Sequence, residues 1–229
     1  MTNMHLLKTK ATLPVQRRLA AALVLGCALA AANPAMAQIV KPPVTDPTIT
    51  PVGATAFLVG HAHGTQGYVC LPTSAGASTA SWTVNDARPE ATLFTSLFGQ
   101  DFQIITHFLS PDTNPNQFAP SPLPFGSATW QSSLDSSKVW AQKVHAVAPS
   151  SSDPSCPNTG SIACLLLQAI GTEQGPAGGR FLTQVSFIQR LNTRGGSAPA
   201  DGCSAASDGG KQALVPYSAD YFFFTGGTK

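Results

Sequence analysis

The chain has 229 residues, 43% of them hydrophobic and only 10% charged, with 20 glycines and 19 prolines. That length suits one sizeable domain, and so few charges among so many apolar residues exclude a disordered polyelectrolyte. The formal charge of +2 includes Lys8, Lys10, Arg17 and Arg18; without residues 1–37 the count is nine Lys and Arg against eleven Asp and Glu, about −2, leaving no basic patch for nucleic acid or an anionic membrane.

Those four cations precede the apolar run Leu19–Ala32, and Ala35-Met36-Ala37 offers an A-x-A cleavage site. The pattern predicts a secretory signal peptide over 1–37, removed near Ala37, and a mature protein that is secreted or periplasmic. The apolar run is short for a membrane span and nothing after it resembles a second, so no stable span is expected. Residues 38–55, with K-P-P-V-T-D-P-T-I-T-P, read as an extended proline-rich linker, and 56–226 as a single domain.

Within the domain the apolar pattern repeats at period two. F-L-V-G-H and G-Y-V-C-L read as two short strands separated by a turn over Gly64–Gly67. His61 and His63 stand two apart and share a strand face, but two histidines make no metal site by themselves, and they read as solvated loop residues. Ser78–Asn85 places Ala80, Trp82 and Val84 on one face; Pro89 then enforces an extended Arg88, and Glu90 reads as an exposed turn carboxylate.

Phe102–Leu109 forms the next strand, with His107 on the face of Ile105, whereas Pro111–Ala128 carries five prolines and reads as a long surface loop. Lys138–Val147 alternates again, with one wet face. Cys164–Ile170 is apolar without period and reads as a buried strand, with a short helical piece as its rival.

Phe181–Leu191 alternates over the longest run in the chain. Val185, Phe187, Gln189 and Leu191 take the expected core face, and Ile188 and Arg190 the other. Gln189, polar on that face, then needs a hydrogen-bond partner. Asn192–Gly196 turns the chain. Ala213–Phe224 aligns Val215, Tyr217, Ala219, Tyr221 and Phe223, and Pro216 makes this strand an edge or a bulged one. About eight or nine strand candidates at short spacing, with no persuasive amphipathic helix, predict an all-β domain, an antiparallel β-barrel or β-sandwich.

Four cysteines follow the leader, and an even count in an oxidising compartment predicts two disulfides. Cys156 and Cys164 can close a local loop around P-N-T-G; Cys70 to Cys203 then ties an early strand to the stretch after Gly196. A zinc site lacks its C-x-x-C pair and histidine spacing.

Several motifs occur together in order: G-Y-V-C at 67–70, Trp82, P-E-A-T-L at 89–93, T-H-F at 106–108, Trp130, S-K-V at 137–139, L-L-L at 165–167, F-I-Q-R-L-N-T-R-G-G at 187–196, A-P with Cys203, and V-P-Y-S-A-D-Y-F-F at 215–223. The set resembles a large group of secreted bacterial and fungal proteins known only as a domain of unknown function, and the resemblance covers nearly all of the chain after the leader. The chain departs from that pattern in the proline-rich Leu109–Ala128 and in Ile162-Ala163-Cys164, where relatives tend to show I-P-W. Some fungal relatives carry a malate dehydrogenase label; no G-x-G-x-x-G or βαβ alternation here supports it, and no cofactor is implied.

Familiar catalytic templates are absent: there is no G-x-S-x-G, H-E-x-x-H or S-x-x-K after the leader. Glu90, His107, Arg190 and Asp220 remain as catalytic candidates within the family-like motifs, with Arg190 expected to pair with Asp220 or Glu90. Trp130, Gln189 and Tyr217 are candidates for contacting a ligand. Trp82, Trp130, Trp140, Tyr217 and Tyr221 could supply stacking surface. Three readings follow. The first is a module binding a small molecule or polysaccharide. The second is a hydrolase or lyase using Glu90 and His107 as acid and base with Arg190 stabilising negative charge, which requires all three to converge. The third is a structural, envelope-associated protein.

Overall fold

Period-two alternation becomes structure when each strand finds a partner for its backbone and a cover for its apolar face. The computed structural model describes residues 42–43, 46–110 and 127–228, apart from the side chains of 85–89. The expected leader over 1–37 and most of the segment read as a proline-rich loop (111–126) therefore lie outside the described residues. Eight strands are described: β1 Ala54–Pro72, β2 Ala80–Leu97, β3 Gln100–Ser110, β4 Ser127–Ser132, β5 Lys138–Val147, β6 Cys164–Glu173, β7 Phe187–Gly195 and β8 Gln212–Gly226. Each pairs antiparallel with the next, and β8 returns to β1, closing a barrel in which every neighbour in space except the closing pair is a neighbour in sequence. Of the two expected architectures, the barrel is the one formed. Closure gives every strand two partners and so removes the exposed edges of an open sheet.

One strand phase forms the interior. Leu93, Ile105, Val139, Ile188 and Phe223 are fully buried in a single cluster, joined by Leu182 and Val185 from the β6–β7 connection. Each such side chain stabilises the fold by roughly 1.5–3 kcal/mol relative to exposure. The opposite phase of β6, β7 and β8 is also buried: Leu166, Phe187, Leu191, Phe222 and Phe224 form a second cluster around Ile49. Ile49 belongs to a 3-10 turn, Pro47–Ile49, whose start is capped by the Asp46 carboxylate accepting from the Thr48 N–H at 2.8 Å. Part of the segment expected to be an extended linker is thus a strap across the outside of the barrel. Gln189 points outward into this layer and donates to the Ile49 carbonyl at 2.6 Å.

Three local expectations change. β1 is one continuous strand, with a register shift at Gln66/Tyr68 where two strands and a turn were expected. Gly64 is glycine because β2 passes so close that a Cβ would run into the Glu90 carbonyl and Ala91, not because the chain turns there. β2 likewise runs unbroken through the region read as two pieces. Phe181–Gln184, in contrast, is a set of turns despite its alternation. The Phe181 N–H donates to Asp135 Oδ2 at 2.8 Å and the Leu182 N–H to Ser137 Oγ at 3.0 Å, so the β4–β5 turn captures the backbone that a strand would have needed. This folds Leu182 and Val185 into one end of the barrel.

Pro216 is accommodated at a local edge: it pairs with Thr65 on the β1 side, while the β7 ladder ends at Gly195 opposite Tyr217. Both expected disulfides are present, Cys70–Cys203 and Cys156–Cys164, with Cα separations of 6.1 and 6.2 Å.

Candidate functional site

An up-and-down barrel has two ends, and here they differ. The connections β2–β3, β4–β5 and β6–β7 gather at the end filled by Leu182 and Val185. At the other end the interior opens into a cavity of about 750 Å3, a size typical of small-molecule sites. Its walls come from the end of β1 (Gln66, Tyr68), the end of β3 (His107), the start of β4 (Ala128, Trp130), the start of β6 (Leu165, Leu167), the end of β7 (Arg190) and β8 (Tyr221). Both disulfides lie at this end, where they hold connections that contribute Ile162, Ala163, Ser197 and Ala198 to the rim.

The stretch Ile188–Gly196 does most of the positioning. Ile188 packs into the core, and Arg190, two residues on, enters the cavity. Asn192 has φ +51° and marks a bulge between Leu191 and Arg194, while its Nδ2 donates to Asp220 Oδ2 at 2.6 Å. Thr193 Oγ1 donates to the Ile162 carbonyl at 2.6 Å, drawing in the segment that carries Ala163. Gly195 and Gly196 both have positive φ, and a Cβ on Gly195 would stand 2.7 Å from the Pro216 carbonyl oxygen. The Gly196 carbonyl then accepts from the Tyr68 hydroxyl at 2.6 Å.

Arg190 donates from Nε and Nη2 to the Ala163 carbonyl at 3.2 and 2.8 Å. A carbonyl orients the guanidinium without neutralising it. Among the described residues the ion pairs are His61 with Asp220, Lys138 with Glu173 and Lys211 with Asp208, so the expected pairing of Arg190 with Asp220 or Glu90 does not form. Lys143 also lines the cavity, and among the described residues no Asp or Glu does. The chamber is therefore positive inside walls that are otherwise largely aromatic and aliphatic.

His107 is buried and lies flat on Trp130, with ring centroids 4.1 Å apart and 6° between the planes. Its Nδ1 is 2.9 Å from the Thr129 carbonyl oxygen. Burial pushes its pKa down to about 4; the Thr129 bond opposes this and the Arg190 charge adds to it. The imidazole is therefore neutral at pH 7. The Tyr217 and Tyr221 hydroxyls are 3.0 Å apart. Burial raises the Tyr217 pKa well above its ordinary value, the neighbouring Tyr221 raises it further and Arg190 opposes both. Burial likewise raises Tyr68, against the pull of Arg190. Both phenols stay protonated and act as neutral hydrogen-bonding groups. The Trp130 indole N–H is enclosed and has no partner among the described residues.

The structure brings together three of the candidates, His107, Arg190 and Trp130, at one cavity, with Tyr217 behind Tyr221. It separates the others. Glu90 is exposed and does not line the cavity; its neighbour Ala91 is the one packed into the core, so the proposed trio of Glu90, His107 and Arg190 does not converge. Asp220 lies on the outer face, where Oδ1 meets His61 Nδ1 at 2.6 Å. His61 and His63 are exposed residues of β1, not loop residues, and no group of three or more His, Cys, Asp or Glu among the described residues could hold a metal. Gln189 serves the outer strap. Trp140 is fully buried, and the Trp82 indole N–H is spent on the Gly202 carbonyl at 2.6 Å. Tyr68 and Lys143 escaped the sequence reading. The sign of the former is its place in the G-Y-V-C motif, two residues before Cys70; the latter shares the strand phase of Val139 and Ala141.

Among the described residues no helix is long and apolar enough to cross a membrane. No curated protein and no solved structure matches the chain. A family model described as "Protein of unknown function (DUF3455)" matches residues 51–225, which span all eight strands and every residue of the cavity wall. The chain belongs to that family.

Proposed function

We propose that the barrel is an exported binding protein whose open-end cavity takes a small molecule with an apolar body and an anionic head, a carboxylate above all. The observation that carries this reading is Arg190: a guanidinium held by the Ala163 carbonyl inside a chamber with aromatic walls and, among the described residues, no acidic one. A planar fork of N–H donors suits a carboxylate, and the aromatic walls suit an apolar body. Eight-stranded barrels have interiors wide enough to hold one such ligand. Two disulfides suit an oxidising compartment and so agree with an exported protein.

The test is a thermal-shift screen of residues 38–229, disulfides intact, against aryl and medium-chain carboxylates, with sugars, oligosaccharides and divalent metals as competing classes. A carboxylate at about a hundred times its Kd adds roughly 2.7 kcal/mol to stability, which is readable as a shift of several degrees. Arg190→Met should weaken binding by about ten- to a hundredfold, the value of a charge-assisted hydrogen bond, and leave the melting point of the free protein nearly unchanged. A response to sugars or metals alone, or carboxylate binding indifferent to Arg190→Met, would overturn the reading.

A further inference from the structure

The carboxylate reading leaves one wall of the cavity unexplained, the one made by His107. Thr129 offers a backbone carbonyl, which can only accept, so the proton of the neutral ring sits on Nδ1. Nε2 is then left as an acceptor. The stacked indole of Trp130 holds the ring plane, and the Thr129 bond holds its rotation. His107 lines the cavity, and its Nε2 has no partner among the described residues. Of the other polar groups nearby, two N–H groups of Arg190 are engaged with Ala163, the Tyr68 hydroxyl with Gly196, and the Tyr217 and Tyr221 hydroxyls with each other, while the unpartnered Trp130 indole N–H can only donate.

We infer that His107 selects the ligand: its Nε2 accepts a hydrogen bond from a hydroxyl of the bound molecule, so the cavity prefers hydroxylated apolar carboxylates to their deoxy analogues. This rests on the proposal that the cavity binds carboxylates, and it adds a second, independent requirement to it. A site whose acceptor stays unmet by the wrong ligand discriminates more sharply than one that only measures shape. Low basicity suits the role, because the ring stays an acceptor throughout the neutral range. A cavity with a cationic fork from Arg190 and a fixed neutral acceptor from His107 recognises two features of one molecule.

The experiment is calorimetric titration of the disulfide-intact protein at pH 7.5 with two matched pairs, 4-hydroxycinnamate with cinnamate and 12-hydroxydodecanoate with dodecanoate. The hydroxylated member of at least one pair should bind about tenfold or more tightly; which pair responds tells an aryl from an acyl body. In His107→Phe the preference should fall to about one while the deoxy member binds as before. His107→Gln, which keeps an acceptor, should restore part of it. Arg190→Met should weaken both members alike. Equal affinity within both pairs for the unaltered protein would overturn the role of His107 and leave the carboxylate site standing. Failure of all four acids to bind would overturn both.

Discussion

The two ends of this barrel are built by the same strands and differ in almost everything else. β7 contributes Ile188 to one end and Arg190, one inward position along, to the other. β8 contributes Phe223 and then Tyr221; β3 contributes Ile105 and then His107. At the closed end the inward side chains form a buried apolar cluster. At the open end polar and aromatic side chains join aliphatic ones around empty volume. Core packing and cavity lining are thus divided along these three strands: a step of two residues crosses from one to the other. Substitutions at the two ends should behave as two classes.

The largest effect should come from the closed end. Phe223→Ala removes a fully buried ring that has nowhere to be replaced from, and should cost about 3–5 kcal/mol in a urea titration while leaving ligand specificity in the surviving folded protein unchanged. A cost near zero would mean that the closed end is not the stabilising half.

Acid should reveal the cost of the open end. His107 is held near pKa 4, below the value of about 6.5 that it has in the unfolded chain. Above pH 6.5 it is neutral in both states. As pH falls from there towards 4, the unfolded chain takes up a proton that the folded chain refuses, and stability drops by on the order of 3 kcal/mol in total. Urea titrations between pH 7 and 4.5 should show a shallower slope for His107→Gln than for the unaltered protein; parallel slopes would remove His107 as the cause.

The smallest effect returns to the closed end, at the turn that traps Phe181–Gln184. Partial burial pushes the Asp135 carboxyl up, but hydrogen bonds from the Phe181 N–H, the Ser137 hydroxyl and the Ser137 N–H bring its pKa down to about 2. Its contribution is present above pH 4 and lost as pH falls through 2. Asp135→Asn should cost about 1 kcal/mol at pH 7, allowing for solvent screening, and the difference in melting point should shrink near pH 2. A difference that does not narrow would assign the effect to shape alone.

What could be read from the sequence follows the same division. The alternation of Tyr217, Ala219, Tyr221 and Phe223 correctly indicated one inward face of β8, and the even cysteine count indicated both disulfides. Arg190 was harder to place, because its neighbours Phe187 and Leu191 look like the natural core face. They are buried, but outward, under Ile49. The unbroken Phe222-Phe223-Phe224 run carries the missing information, since a strand apolar in both phases must be covered on both sides. Gly64 misled in the opposite direction: a glycine needed for close strand approach has the same letter as one needed for a turn. Phe181–Gln184 misled because its alternation competes with side-chain acceptors from Asp135 and Ser137, which lie more than forty residues earlier and leave no local trace. Most of the site was visible as separate residues and not as a group, because Arg190, His107, Trp130 and Tyr68 come from four strands that only the closed barrel brings around one cavity.

The strap and the closing seam also set the order in which the molecule can assemble. Ile49 rests on Phe222 and Phe224, and His61 meets Asp220 across 159 residues, so the strap and the first strand have their partners in the last. Each strand can pair with the one before it, but the ring has two open edges and a bare apolar flank until β8 arrives. Contacts so distant along the chain place closure among the slow events of folding, in the millisecond-to-second class of β-rich topologies. The chain therefore stays open until it is entire, and the cavity exists only once the final strand has been made.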